Sequence, residues 1–332
     1  MCPPTEEPQP PQIEAEEYND DTESSYESDL PSTSSLSSSI TDYEYENGRR
    51  YHSYKKGLYL APNDEDEKDR LDLCHHTITL RIGGKLHLAP ISPNVQEVLD
   101  LGTGTGIWAI HMGDEYESAR ILGNDLSPIQ PSFVPPNVRF EVDDMEDVWT
   151  YTQKFDFIHA RYLVGSIRDW PKLISNCYKF LKPGGWLEVK EFNMHAYSTD
   201  GSLDEENSYL NRYLRESAEG MRSLGIEPEP ATKLAGWLKE AGFADIRDEL
   251  FPCPIGSWPK DKMLKEVGLF NLANFVDGLE GFSMRLLTST RGWKKEEVEV
   301  HVAHVKKELK NRSIHSQHDM HVVYGQKPLD AE

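Results

Sequence analysis

Short apolar runs alternate with longer mixed segments through the middle of the chain. Five of these runs have the length of a buried strand, at residues 95–101, 119–124, 138–142, 155–160 and 186–192. The segments between them leave room for helices, and residues 173–181 have an amphipathic pattern. Strands that alternate with helices at this spacing are typical of a parallel sheet with helical crossovers, so the pattern predicts an α/β fold.

The regular alternation of strands and helices ends after residue 192, where helical patterns dominate. Helices are predicted at 203–224, 232–241, 263–288 and 294–311, and two more strands at 244–251 and 320–325. These helices would lie beside the carboxyl edge of the sheet and cover a site there. We therefore predict a helical lid around 197–242 and 258–312. One earlier helix is predicted at 64–76, with Asn63 as its N-cap.

The N-terminal segment differs in composition from the rest of the chain. Residues 1–48 contain 13 acidic residues and no Lys or Arg, and residues 31–39 read PSTSSLSSS. Such a segment buries too little apolar surface to offset the conformational entropy that folding removes. The sequence therefore predicts a disordered acidic Ser/Pro-rich tail at 1–45 and a folded domain at 46–328. The tail is either a solubilising extension or a partner-binding segment.

Charge and composition exclude several classes of function. The net charge is −22, of which −13 belongs to residues 1–48, leaving −9 for the body. An acidic body lacks the clustered Lys and Arg that nucleic-acid phosphates require. No apolar run approaches the ~18 residues of a membrane span, and the N-terminus does not resemble a secretory signal. The four cysteines are widely spaced, so we expect an intracellular protein, cytoplasmic or nuclear.

A glycine-rich turn after the first strand of the sheet is the strongest functional signal. Asp100 is followed by Gly102, Gly104 and Gly106, and then by the start of a helix. Glycine allows the backbone to turn sharply and to approach a ligand closely. The spacing G-x-G-x-G differs from the dinucleotide fingerprint G-x-G-x-x-G, and Asp100 would repel a pyrophosphate. A nicotinamide oxidoreductase therefore fits poorly, whereas Asp100 is well placed to bind a cationic amino group.

Further candidates follow the next two strands. Asp125, with Leu126 after it, ends the second strand and could accept hydrogen bonds from ribose hydroxyls. After the third strand, Asp143 and Asp144 precede Met145, and Asp144 could accept from an adenine amino group while Met145 contacts the ring. A nucleoside that carries an amino acid satisfies these groups together.

These residues resemble the class I S-adenosylmethionine-dependent methyltransferases. The matching segments are residues 100–106, Asp125, Asp143, Asp144 and 181–188. Over residues 47–326 the chain is more closely similar to the fungal LaeA-type methyltransferases, through segments 48–52, 62–65, 69–72, 102–108, 126–131 and 135–138. The resemblance implies a Rossmann-like, doubly wound, seven-stranded sheet that is mostly parallel, with an antiparallel last strand. It also implies S-adenosyl-L-methionine as the methyl donor.

The resemblance leaves two functions open. Some members of the family methylate small molecules in secondary metabolism, and others regulate that metabolism in the nucleus through protein partners. The stretches at 254–261 and 307–310 are more similar to the small-molecule members. We therefore expect a small-molecule methyltransferase, with a LaeA-type regulator as the alternative.

Direct methyl transfer needs alignment of the reactants and a dry site, and a general base only where the acceptor must lose a proton. The candidates for a base are His159 and Glu191 first, with Arg161 and His195 nearby in sequence. Three aromatic residues, Tyr51, Tyr54 and Tyr59, either close over the donor or only pack the first helix onto the sheet. The spacing of His315, His318 and His321 does not bring three ligands together, so we expect no metal site.

Overall fold

The computed structural model describes residues 43–46, 48–52 and 61–331. Most of the predicted tail, together with Tyr54 and Tyr59, lies outside these residues. The strands, in chain order, are β1 Glu44–Glu46, β2 Arg49–Tyr51, β3 Glu97–Leu101, β4 Arg120–Asp125, β5 Val138–Val142, β6 Phe155–Arg161, β7 Leu181–Phe192, β8 Ala244–Pro254 and β9 Gln317–Gln326. The helices are α1 Glu65–Arg81, α2 Ile107–Glu115, α3 Trp170–Phe180, α4 Tyr209–Ser223, α5 Leu234–Ala241, α6 Lys262–Thr290 and α7 Lys295–Leu309.

Seven strands form one sheet in the spatial order β5-β4-β3-β6-β7-β9-β8. Strands β3 to β7 pair in parallel, and β9 runs antiparallel to both of its neighbours. This confirms the predicted doubly wound sheet with an antiparallel last strand. The strand order reverses between β3 and β6, so the crevice outside the carboxyl ends of these two strands is the expected ligand site.

Neighbouring residues of each strand face opposite layers of helices, as the period of two requires. Val98 and Phe157 pack in the cluster that contains α1 and α2, and Leu99 and Ile158 pack in the cluster that contains α3 and α5. A third apolar cluster lies away from the sheet and joins α4, α6 and α7. The lid therefore has its own core, made from these three helices. Helix α5 falls inside the predicted lid range, but it packs on the sheet.

Several predicted boundaries differ from the structure. Helix α1 begins one residue later than expected, because the carboxylate of Asp64, and not Asn63, accepts the N–H of Glu67 at 3.1 Å. Helix α4 begins at Tyr209, where the Ser208 hydroxyl accepts the N–H of Asn211. Strand β7 starts at Leu181, five residues before its predicted start.

The early start of β7 comes from pairing that the glycines do not interrupt. Leu181 pairs with Phe155 on one side, and a register shift follows before Trp186 pairs with Phe157. On the other side, Gly184 and Gly185 exchange backbone hydrogen bonds of 2.9 Å with Lys327. Among the described residues, no helix is both long and apolar enough to cross a membrane.

A short hairpin precedes α1. Strands β1 and β2 pair antiparallel, and Glu46 of β1 forms an ion pair of 3.4 Å with Arg285 of α6. Arg49 of β2 contacts the Asp64 carboxylate at 2.5 Å, which joins the hairpin to the start of α1. The tail boundary predicted at 45 therefore falls within β1.

Two shortened chains would separate the contributions of the tail and the hairpin. A chain that starts at Tyr43 keeps both strands, and we expect it to melt within a few degrees of the full-length protein. A chain that starts at Gly48 loses β1 and the ion pair of Glu46. We expect it to melt lower by roughly 2–4 °C for each kcal/mol lost. Circular dichroism melts measure both, and an equal drop for the two chains would show that residues before 43 pack on the body.

Candidate functional site

The glycine turn joins β3 to α2 at the switch point of the sheet. Gly102 and Gly104 have positive φ values of 64° and 59°, a region that other residues rarely adopt. A Cβ atom on Gly102 would lie 2.4 Å from Cδ2 of Leu163, so this position also requires glycine for packing. A Cβ atom on Gly104 would meet only Leu71 within 4 Å. The backbone at Gly104 is therefore open to a ligand.

A cleft of about 860 Å³ opens beside this turn. Its walls include five of the residues predicted to hold a nucleoside donor: Gly102, Gly104, Asp125, Leu126 and Met145. The rest of the lining comes mostly from α1 and the residues before it, the loop after β4, and the end of β6 with the segment that follows, including Asn63, Leu71, His75, Ser127 and Arg161. Seven other predicted candidates are not among the described residues that line the cleft: Tyr51, Asp100, Gly106, Asp143, Asp144, His159 and Glu191.

Asp125 ties the end of β4 to the glycine turn. Its carboxylate accepts the N–H of Gly104 at 2.9 Å through one oxygen and the N–H of Ser127 at 2.9 Å through the other. Burial raises the pKa of Asp125 to about 6. The loop after β5 lies next to it, because the Asp143 N–H donates to the Asp125 carbonyl at 3.0 Å. In that loop, the carboxylate of Asp144 accepts the N–H of Glu146 at 2.9 Å.

Asp100 lies behind the turn instead of inside the cleft. One oxygen accepts the Thr103 hydroxyl at 2.6 Å, and the other lies 2.7 Å from Nδ1 of His159. Burial raises the pKa of Asp100 to about 6. Both carboxylate oxygens thus have partners in the protein. The first of these contacts holds Thr103 within the turn. The contact of Asp100 with a ligand amino group stays a prediction.

His159 is the centre of a buried polar chain that crosses the sheet. Its Nε2 lies 2.9 Å from Nζ of Lys190, and that Nζ lies 2.6 Å from Oε1 of Glu188. Because an ammonium group only donates, Nε2 accepts from Lys190 and Nδ1–H donates to Asp100. The ring stacks on Trp108 with centroids 3.7 Å apart, and burial lowers the pKa of His159 well below its usual value. His159 therefore has no free nitrogen to take a proton from a substrate.

The Glu191 carboxylate binds two backbone N–H groups beside the cleft. Its two oxygens accept the N–H groups of Leu163 at 2.6 Å and Val164 at 3.1 Å. Burial raises the pKa of Glu191 to about 8. Its side chain fixes the segment after β6 and does not reach an open surface.

The remaining sequence candidates occupy three different places. Arg161 lines the cleft, where its Nη1 lies 2.5 Å from Nδ1 of His75, and burial lowers the pKa of Arg161. His195 is exposed and contacts Glu205 at 3.2 Å. Tyr51 is 2% exposed, and its ring lies under the guanidinium of Arg285, 4.9 Å from the ring centroid.

A second cavity of about 850 Å³ lies between the carboxyl edge of the sheet and helices α4 and α6. It shares Tyr162 with the cleft. Its lining is mostly apolar and aromatic, and its described members include no Asp, Glu, Lys or Arg. Sequence reasoning missed Tyr162, although its place directly after β6 is a signal that could have found it.

Comparison with known proteins identifies the fold and its chemistry. The family model described as a methyltransferase domain matches residues 60–247, more than half of the chain. The chain belongs to the methyltransferase family. Family membership carries with it S-adenosyl-L-methionine as the methyl donor, as the sequence predicted.

Curated relatives cover nearly the whole methyltransferase. The chain is 49% identical to the methyltransferase pytC of Aspergillus terreus, over 90% of this chain and 92% of that protein. It is 38% identical to the secondary metabolism regulator LAE1 of Cochliobolus heterostrophus, over 85% of this chain and 94% of that protein. It is 35% identical to the probable methyltransferase tdiE of Emericella nidulans, over 82% and 87% respectively. The methyltransferase is thus related both to fungal methyltransferases and to regulators of secondary metabolism.

The raised pKa of Glu191 predicts how stability depends on pH. Its pKa rises from 4.5 to about 8, so the folded methyltransferase binds the extra proton. Stability from this group is complete below about pH 4.5 and is lost as the pH rises through 8. The Glu191→Gln variant cannot titrate. We expect the free energy of unfolding of the variant, relative to that of the wild type, to increase with pH. The increase is up to about 1.4 kcal/mol per pH unit between pH 5 and 8.

Urea unfolding at several pH values measures this difference. Asp204→Asn is a suitable control, because hydrogen bonds from Asn207 lower the pKa of this exposed carboxylate. Its ionisation is therefore complete across the same interval in both folded and unfolded chains. A constant difference between wild type and Glu191→Gln from pH 5 to 8 would contradict the assignment.

Proposed function

We propose that this methyltransferase transfers a methyl group from S-adenosyl-L-methionine to a small, largely apolar molecule of fungal secondary metabolism. The observation that carries this proposal is the pair of adjoining cavities that share Tyr162. The cleft beside the glycine turn is the proposed donor site. The second cavity, called the acceptor cavity below, would hold the molecule that is methylated.

The chemistry of the cleft supports the donor assignment. The cleft presents a glycine without a Cβ atom at Gly104, which a ligand can approach closely, and a carboxylate at Asp125. Asp125 would accept hydrogen bonds from the ribose, and Met145 and Leu126 would contact the adenine. Asp144 does not line the cleft itself but directly precedes Met145, which does, and from there it would accept from the adenine amino group. Asp100 would act through Thr103 and the shape of the turn.

The bound donor supplies a methyl group that is already activated on a sulfonium sulfur. The residues of this chain then need only to align the acceptor with that carbon and to exclude water. Loss of the sulfonium charge during transfer is favoured by a dry surrounding. The lid supports this role, because α4 and α6 close the acceptor cavity on the side away from the sheet.

The identity to LAE1 favours one alternative, a regulator that acts through protein partners. Two features support the small-molecule proposal over it. The acceptor cavity lies under the lid, whereas a protein substrate needs an open groove for its chain. The greater identity to pytC, a protein named as a methyltransferase, points the same way.

The donor site predicts the behaviour of Asp125→Ala. Loss of a hydrogen-bonded charged group is worth roughly 1.5–3 kcal/mol. We therefore expect this variant to bind S-adenosylmethionine and S-adenosylhomocysteine about 10- to 100-fold more weakly by calorimetry. The loss of affinity should be equal for the two ligands, because both contain the ribose and the contact with Asp125 stabilises both to the same extent. Asp114→Ala, on the exposed face of α2, is the control and should bind normally; a loss for only one ligand would place Asp125 elsewhere.

Transfer to an extract separates the two candidate functions. The protein is incubated with donor labelled in the methyl group and with an extract of a fungal host, and the products are divided by size. We expect the label in the small-molecule fraction. Label found in proteins alone would favour the regulator.

A further inference from the structure

Tyr162 occupies a strained position between the two cavities. It has a φ of 54°, which costs energy in a bulky residue and persists only where the surroundings fix it. Its N–H donates to the Lys190 carbonyl at 2.9 Å, which holds the backbone at the end of β6. This conformation allows one side chain to line both the cleft and the acceptor cavity. Strain of this kind collects at functional sites.

The hydroxyl of Tyr162 has a defined direction for its hydrogen. Nη1 of Arg70 lies 3.5 Å from the hydroxyl oxygen and 2.5 Å from Oδ1 of Asn274. Arg70 is itself fixed by two contacts with the Glu67 carboxylate, at 2.8 and 2.6 Å, and is 3% exposed. A guanidinium only donates, so the Tyr162 oxygen accepts from Arg70. Burial raises the pKa of Tyr162, whereas a hydrogen bond with the Asn274 side chain lowers that pKa, as expected for a bond donated to its oxygen. The hydroxyl hydrogen therefore remains available to a ligand.

Among the residues that the structure describes, the acceptor cavity has no side chain that can act as a base near neutral pH. Besides Tyr162, its described titratable residues are Tyr213 and His318. Nε2 of His318 accepts from the Asn271 amide at 3.0 Å, and burial lowers the pKa of His318 to about 4. The Tyr213 hydroxyl donates to the Leu279 carbonyl at 3.4 Å, and burial raises the pKa of Tyr213. The acceptor must therefore give its proton to water, or need no proton loss.

Given the proposed function, on which this inference rests, we propose that the acceptor is an apolar phenol or enol, and that the Tyr162 hydroxyl donates a hydrogen bond to its oxygen. The acceptor loses its hydroxyl proton to water and reacts as an oxyanion. The new bond joins that oxygen to the methyl carbon, and the sulfur keeps the electron pair of the bond that breaks. Tyr162 is then a catalytic residue, and Arg70 a positioning residue.

Lone pairs decide between oxygen and nitrogen as the methylated atom. A neutral amine has a single lone pair, which must point at the methyl carbon, so a hydrogen bond from Tyr162 would compete with attack. An oxyanion has further lone pairs, so it can accept from Tyr162 and attack at the same time. A carboxylate would have to enter as an anion, and the described part of the cavity lining offers it no Lys or Arg. A phenol or enol can enter the cavity as a neutral molecule. It can then lose its proton while its oxygen accepts a hydrogen bond from Tyr162.

Three compounds with one ring system test the acceptor class. The full-length protein, with donor labelled in the methyl group, is offered 2-naphthol, 2-naphthylamine and 2-naphthoate. We expect transfer to 2-naphthol only. Faster transfer to the amine or the acid would overturn the inference, and so would donor binding with no transfer to any of the three. Failure to bind the donor at all would instead refute the proposed function.

The variant Tyr162→Phe tests the residue. We expect kcat/KM for 2-naphthol to fall about tenfold below the pKa of the naphthol, because fewer acceptor molecules are then ionised without the hydrogen bond from Tyr162. Donor affinity and melting temperature should be unchanged, and the acid limb of kcat/KM should move to higher pH. Tyr178→Phe is the control, since Tyr178 packs against Phe243 and Lys327 away from both cavities. Full activity in Tyr162→Phe would overturn the role.

A measurement on the unaltered protein covers the case in which Tyr162→Phe does not fold. The absorbance of 2-naphthol is titrated with pH in the presence of protein and S-adenosylhomocysteine. Burial alone would raise the pKa of the bound naphthol. Donation from Tyr162 should outweigh that effect and leave the pKa about one unit below that of free naphthol, which is a tenfold change in its ionisation. A pKa equal to or above that of free naphthol would contradict the inference.

Discussion

The buried chain of polar groups from Asp100 through neutral His159 and Lys190 to Glu188 holds the centre of this fold. Asp100, His159 and Glu188 lie directly opposite one another on β3, β6 and β7. Removing such groups from water costs several kcal/mol for each ion unless every polar atom finds a partner. Here the partners come from three strands, and Glu188 also accepts the N–H groups of Leu88 and Ala89. A shift of any one strand by a residue would leave a buried charge unpaired, so the chain of contacts fixes the register at the switch point.

This constraint explains which parts of the site the sequence could predict. The glycine turn and the acids after β4 and β5 are local signals, because each needs only its own strand end to be recognised. Asp125, Leu126 and Met145 accordingly line the cleft. His159 and Asp100 are 59 residues apart, and nothing in either segment signals the other. A sequence shows a histidine at a strand end, whereas only the sheet register shows that both its ring nitrogens are engaged.

The differences at element boundaries have the same origin. Asn63 and Asp64 are both good N-caps, and pattern alone does not choose between them. The hairpin decides it, because Arg49 and the N–H of Arg50 both bind the Asp64 carboxylate. Tyr162 was missed for a comparable reason. Its importance comes from a backbone conformation and from a contact with Arg70 on a helix distant in sequence. The residues next to Tyr162 in the sequence predict neither of these.

The wall between the two cavities is built from the sheet, and the lid only encloses it. Lys190 accepts the N–H of Tyr162, and Glu191 accepts the N–H groups of the next two residues. Three successive backbone groups are thus held by two neighbouring residues of β7. Helices α4 and α6 contribute the far side of the acceptor cavity, and they pack in a cluster apart from the sheet. Substitutions in the lid other than at Asn274, which binds Arg70, can therefore reshape the acceptor cavity without moving Tyr162 or the donor cleft. Because the sheet forms the donor site and the lid forms much of the acceptor cavity, related chains could keep one donor site and change the molecule that they methylate.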